Sequence, residues 1–170
     1  MNLSAHFTLA EFTDSDTAVR NGIDNTPSAQ ILDALYGTAA GMERVRSILE
    51  VPVIISSGYR CPKLNAAVHG SSKSQHVKGE AVDFRAPQFG TPLQVAKELQ
   101  MHLEFIGVDQ LLWEGTWVHC SFNDNPRGEV LTAHFDNGRV TYTKGLPLHF
   151  FFFFSLLWTS TELYGGLCWS

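Results

Sequence analysis

The chain has 170 residues, is 44% hydrophobic and 17% charged, and carries a formal net charge of −5. That size supports one domain with a sizeable core, and the composition excludes a disordered chain. The acidic balance argues against nucleic-acid binding through a broad basic face; the locally basic stretches Lys63 to Lys78 and Arg127 to Lys144 read as ordinary solvated surface.

Met1 to His6 lacks a charged start followed by an apolar run, so no secretory signal is read there and synthesis in a cytoplasm is expected. Thr8-Leu9-Ala10-Glu11 is a capping box that opens a short helix. Thr26-Pro27 reads as an N-cap followed by proline at the first helical position. Ile31, Leu32, Leu35, Ala39, Met42, Val45, Ile48 and Leu49 then recur at helical spacing, which predicts a long amphipathic helix to about Leu49. Val51 to Ser57 reads as a buried strand, Pro62 to Val68 as a short helix, Gly70 to Ser74 as a loop and Glu80 to Arg85 as a strand. Thr91-Pro92 caps a helix reaching about Leu103. Gln110 to Glu114 and Trp117 to Phe122 form a hairpin about Gly115-Thr116, and Leu131 to Phe135 and Val140 to Thr143 form another about Asp136-Asn137-Gly138. The expected body is α+β, with N-terminal helices packed on a small antiparallel sheet that carries the site.

After Pro147 the composition changes. Phe150 to Phe154 are five consecutive phenylalanines, followed by Ser155, Leu156, Leu157 and Trp158. The apolar run is shorter than the roughly 20 residues of a spanning helix. A core-covering tail, a membrane-surface anchor and an out-of-frame extension all fit residues 146–170; the last is favoured, and any membrane contact is confined to this tail. The three cysteines, Cys61, Cys120 and Cys168, share no C-x-x-C spacing, so a disulfide framework is not expected. Strand alternation turns Cys120 away from whatever His119 binds.

The chemistry concentrates in Ser74-Gln75-His76-Val77-Lys78-Gly79-Glu80-Ala81-Val82-Asp83, which reads S-x-H-x-x-G-x-A-x-D, and in Trp117-Val118-His119 downstream. Two imidazoles and one carboxylate are the ligand set of a catalytic zinc, with a fourth position left for water. Gly79 lets the chain turn between His76 and Asp83, Ala81 keeps room on the Asp83 face, and Ser74 is placed to orient a ligand. Across the two-residue turn, Glu114 pairs with Trp117, Trp113 with Val118 and Leu112 with His119. Glu114 therefore lies on the His119 face, diagonal to it, as the candidate general base. Asp109, expected on the opposite face unless a bulge intervenes, is the runner-up. His6, His69, His102, His134 and His149 read as surface or satisfied core residues, with no carboxylate in view for His102.

These motifs resemble the zinc D-alanyl-D-alanine carboxypeptidase family, which also includes D-Ala-D-Ala dipeptidases and phage L-alanyl-D-glutamate endopeptidases. His6-Phe7-Thr8-Leu9-Ala10-Glu11-Phe12 and Ser57-Gly58-Tyr59-Arg60 look like its phage and prophage branch. The resemblance spans about Leu3 to Thr143. It implies a Hedgehog-like α+β fold in a domain of residues 1–145, one zinc ion held by His76, Asp83 and His119, and cleavage of peptidoglycan stem peptides in the cell wall. It further implies that Arg60 holds a substrate carboxylate or polarises the scissile carbonyl, while Tyr59 packs. The chain departs from many relatives in one respect: they place the acidic base three residues before the last histidine, where Thr116 stands here. A monomer acting on the wall after release or virion delivery is expected. The rival readings are a non-catalytic peptidoglycan-binding module on the same fold and a zinc-stabilised structural domain, the latter requiring a fourth protein ligand that has no candidate with good spacing.

Overall fold

The computed structural model describes residues 1–147. Two five-residue helices open the chain, α1 (Leu9–Thr13) and α2 (Asp16–Arg20). The capping box expected at Thr8 is present: its hydroxyl accepts from the Glu11 amide, and the Glu11 carboxylate accepts from the Thr8 amide at 2.7 Å. The long helix α3 (Ala29–Leu49) starts two residues later than Thr26-Pro27 suggests. Asp24 Oδ1 accepts from the Thr26 amide at 2.9 Å, which commits Thr26 to a turn and leaves Ser28 as the N-cap. The strand expected from Val51 forms only over β1 (Ile54–Ser57), because Glu50 ends α3 in the left-handed region and Pro52 has no amide to offer a ladder. Helix α4 (Pro62–Ala67) leads through a loop to a 3-10 turn, Gln75–Lys78, and then to β2 (Ala81–Arg85). The helix begun at Thr91 stops at Gln100 as α5 (Pro92–Gln100), and α6 (Leu103–Ile106) follows it. His102 does find a carboxylate, Glu98 Oε1 at 3.3 Å, one turn earlier.

β3 (Gln110–Trp113), β4 (Val118–Ser121), β5 (Glu129–Asp136) and β6 (Arg139–Lys144) complete one six-stranded sheet in the order β1-β2-β4-β3-β5-β6. The sheet is mixed rather than antiparallel, because β3 and β5 run parallel. Asp109 supplies the physical reason. Its carboxylate takes hydrogen bonds from the Arg127 amide at 3.1 Å, Arg127 Nε at 2.8 Å and Arg127 Nη2 at 2.7 Å. The chain leaving β4 is thereby pinned back at the start of β3, so β5 departs from the same end and in the same direction.

Alternation divides the sheet into two faces with different duties. Val82, Phe84, Val118, Cys120 and Leu111 point to one side and are fully buried among Leu35, Met42 and Val45 of α3 and Val95 and Leu99 of α5. Cys120 thus belongs to the core, and burial pushes its thiol pKa up. Asp83, His119 and Leu112 share the opposite face, held level by the registers Asp83↔His119 and Leu112↔His119. Among the described residues no helix is long and apolar enough to cross a membrane. The Phe-rich tail readings fall on residues 148–170, outside the described ones.

Two glycines of α3 show how closely the helix is fitted. A Cβ on Gly41 would lie 2.4 Å from Phe122, at the end of β4, whereas one on Gly37 would meet nothing within 4 Å. Gly37→Ala should raise stability by about 1 kcal/mol through helix propensity alone. Gly41→Ala gains the same propensity but overpacks the Phe122 ring at a cost of about 1–3 kcal/mol, so a net loss is expected. Thermal melts of the two variants check this; a higher melting temperature for Gly41→Ala would refute the tight α3–β4 contact.

Candidate metal centre and cleft

His76, Asp83 and His119 arrive from three elements: the 3-10 turn, β2 and β4. Gly79 makes the first convergence possible. Its φ of 75° ends the 3-10 turn in the left-handed region and feeds the chain into β2. A side chain there would also press on Ile31 of α3, whose carbonyl lies 3.1 Å from the Cβ position. The second convergence is a matter of register, since Asp83 and His119 are direct cross-strand partners.

The three candidate ligand atoms nearly touch. His76 Nε2 lies 3.2 Å from His119 Nδ1 and 3.2 Å from Asp83 Oδ1, and His119 Nδ1 lies 2.9 Å from Asp83 Oδ1. All three residues are buried, at 2%, 8% and 8% exposure for His76, Asp83 and His119. Donors about 2.0–2.1 Å from a tetrahedral zinc would stand roughly 3.3 Å apart, so the observed spacing fits one ion with modest expansion.

The tautomer of His76 is fixed by the fold. Its Nδ1 sits 2.6 Å from the Gly58 carbonyl, which can only accept, so Nδ1 carries the proton and Nε2 turns a lone pair toward the other two ligands. Gly58 reaches this place because it has no side chain: a Cβ would lie 2.5 Å from the backbone oxygen of Phe12. Burial lowers the pKa of His76 and keeps the ring neutral, as a ligand must be. Burial opposes the charge on Asp83, while the hydrogen bond from His119 helps hold its carboxyl below the ordinary range. Two imidazoles and an ionised carboxylate, largely buried and with a lone pair aimed inward, are a donor set that suits a divalent cation.

The centre forms the floor of a cleft of about 690 Å³. Glu114, Arg60 and Ser74 line it, as do Gln75 and Asp109. The expected hairpin register holds, with Leu112 opposite His119, Trp113 opposite Val118, and the Glu114 amide donating to the Trp117 carbonyl at 3.1 Å. The Glu114 carboxylate accepts from Trp117 Nε1 at 2.6 Å. Burial, and then the negative charge of Asp83, push its pKa up. Arg60 lies across from it. Burial lowers the pKa of its guanidinium, against the stabilising charges of Asp83 and Glu114, and its Nε is buried with no hydrogen-bond partner among the described residues. Tyr59 packs in the core, as expected.

Ser74 sits at the head of the 3-10 turn but makes no capping bond with its side chain; the orienting bond to His76 comes from Gly58 instead. Asp109 is fully buried and its oxygens are taken by Arg127, by Gln75 Nε2 at 2.9 Å and by Ser121 Oγ at 3.4 Å. Gln75 precedes His76, so Asp109 fastens the ligand-bearing turn to the start of β3. Neither the Gly58 carbonyl nor this bond has a residue-type signature at sequence level. The only hint was glycine beside Tyr59-Arg60, and an acidic residue immediately before a strand.

A comparison with curated proteins returned no match. The family model described as Peptidase M15 matches residues 5–121, which contain α1 through β4 and therefore all three converging residues. The chain belongs to the Peptidase M15 family of peptidases.

Proposed function

We propose that the protein is a zinc metallopeptidase that hydrolyses amide bonds in peptidoglycan stem peptides, of the D-Ala-D-Ala carboxypeptidase or L-Ala-D-Glu endopeptidase type, in the phage or prophage branch of its family. The observation that carries this reading is the convergence of His76 Nε2, Asp83 Oδ1 and His119 Nδ1 at the floor of an open cleft that also holds Glu114 and Arg60. His76, Asp83 and His119 would hold the ion, and zinc, when bound, supplies Lewis-acid polarisation of the scissile carbonyl and acidifies water.

The remaining work falls to the chain's own groups. Glu114, ionised and fixed by the Trp117 indole, accepts the proton of the attacking water and returns it to the leaving amine. Its raised pKa makes it a stronger base than a solvated glutamate and a usable acid in the second step. The guanidinium of Arg60, whose Nε has no hydrogen-bond partner among the described residues, binds either a substrate carboxylate or the carbonyl oxygen as charge develops on it. Asp109 is poorly suited to be the base, because Arg127 and Gln75 occupy its oxygens. Ser74 remains a candidate contact for substrate at the cleft wall. A wall-binding module without activity would have no use for a partly buried glutamate beside a metal-ligand set.

Muropeptide release from purified cell walls, followed by mass spectrometry with and without chelator, tests the reading and identifies the bond. His76→Ala is expected to abolish both zinc uptake in calorimetry and muropeptide release. Glu114→Gln should keep zinc but lower turnover by at least ~10²; full turnover in that variant would exclude Glu114 as the base.

The pH dependence carries a sign. The base must be ionised and its pKa is raised by burial, so the acidic limb of kcat/KM should fall above the ordinary glutamate value of 4.5. A limb at or below that value, measured on a soluble muropeptide, would contradict the buried position of Glu114.

A further inference from the structure

The cleft extends beyond the metal centre along the same face of the sheet. From Asp83 and His119 the face continues through Leu112, which registers with Leu131 of β5, and then to Phe135 and Tyr142 of the β5–β6 hairpin. Leu131, Phe135 and Tyr142 line the one cleft that holds His76 and Glu114. Phe135 and Tyr142 are 58% and 55% exposed, with Val140 beside them at 43%. Three large apolar side chains this open on one hairpin, contiguous with a polar cleft, mark a binding surface rather than a failed core. This hairpin lies beyond the residues that match the family model. Burial and the charge of Glu114 raise the Tyr142 phenol, which places that ring within electrostatic reach of the proposed base.

The two sides of the cleft differ in character. Arg60 and the exposed Lys73 and Lys78 line the cleft, with Lys78 Nζ 3.9 Å from Glu80, so solvated lysines stand at its rim. On the hairpin side stand the neutral Leu131, Phe135 and Tyr142, with Lys144 across from Leu131. A ligand that fits both is anionic in one part and uncharged, with apolar C–H faces, in another. A stem peptide still attached to its sugar has that division. Its carboxylates suit the cationic side, and the face of a pyranose ring suits the electron-rich faces of Phe135 and Tyr142.

Resting on the peptidase reading above, we infer that the β5–β6 hairpin is a saccharide subsite, with Phe135 and Tyr142 seating the sugar of a glycan-linked stem peptide, and that the protein therefore selects glycan-attached substrates over free peptides.

The test compares a disaccharide-tetrapeptide with the same tetrapeptide lacking sugar, using the full chain. Binding is measured by calorimetry on metal-stripped protein, and kcat/KM on the zinc-loaded enzyme. Wild type should favour the disaccharide form. The double variant Phe135→Ala/Tyr142→Ala should lower the ratio of disaccharide-form to free-peptide affinity by at least about tenfold, the loss expected for removing a buried aromatic contact. His134, exposed on the opposite face of β5 and bonded to Thr143 Oγ1 at 2.8 Å, provides the reference: His134→Ala should leave the ratio in place. An equal loss for both ligands, or none, overturns the saccharide subsite while leaving the peptidase reading intact. A dimer that the double variant converts to monomer in sedimentation, with the ratio unchanged, would assign the hairpin face to a second copy and likewise overturn it. A wild-type protein that neither binds nor cleaves either ligand overturns both readings.

Discussion

The hydrogen bond from His76 Nδ1 to the Gly58 carbonyl is the constraint on which the centre depends. Without it the imidazole would choose its tautomer and its rotation freely, and the lone pair on Nε2 would have no reason to face Asp83 and His119. The bond is short at 2.6 Å and buried, so it is not in competition with water. It also joins the centre to the N-terminal helices. Gly58 lies against the backbone of Phe12, and the Tyr59 amide donates to the Phe12 carbonyl at 2.7 Å. The end of α1 therefore helps to set the direction of an imidazole nitrogen. The opening helices, which supply none of the three converging side chains, thus help to aim one of them.

A second tie acts on the same turn from the other side. Gln75 donates to the buried Asp109 carboxylate, and Asp109 also takes three bonds from Arg127. Charge-assisted bonds of this kind hold the Asp109 carboxyl far below its ordinary pKa, chiefly through the Arg127 side chain. One carboxylate thus fixes the turn that bears His76, the entry to β3, and the loop that makes β5 run parallel to β3. The parallel pair brings the β5–β6 hairpin to the edge of the cleft. Had β5 turned back antiparallel elsewhere, Phe135 and Tyr142 would not line the same space as Glu114.

What was legible in the sequence follows the range of the physics that determines it. Period-two alternation and a two-residue turn fix the β3–β4 register locally, and so the placement of Glu114, Leu112 and His119 on one face could be worked out on paper. Capping chemistry located α1 and α5 for the same reason. Thr26-Pro27 misled because Asp24 competes for the Thr26 amide, a local contest that composition does not decide. The antiparallel sheet was the wrong expectation because the direction of β5 is set by a contact between Asp109 and Arg127, 18 positions apart, which no periodicity encodes. The same holds for Gly58, whose contribution is a backbone oxygen common to every residue type.

The charges around the centre answer one another in a way that links ligand geometry to the proposed chemistry. Asp83 must stay ionised to hold a cation, and its charge is one of the causes that raise Glu114. Arg60, whose desolvation lowers its own pKa, is stabilised by both carboxylates and tempers the repulsion between them. The charge of Arg60 thus works against the rise that burial and Asp83 impose on the Glu114 carboxyl.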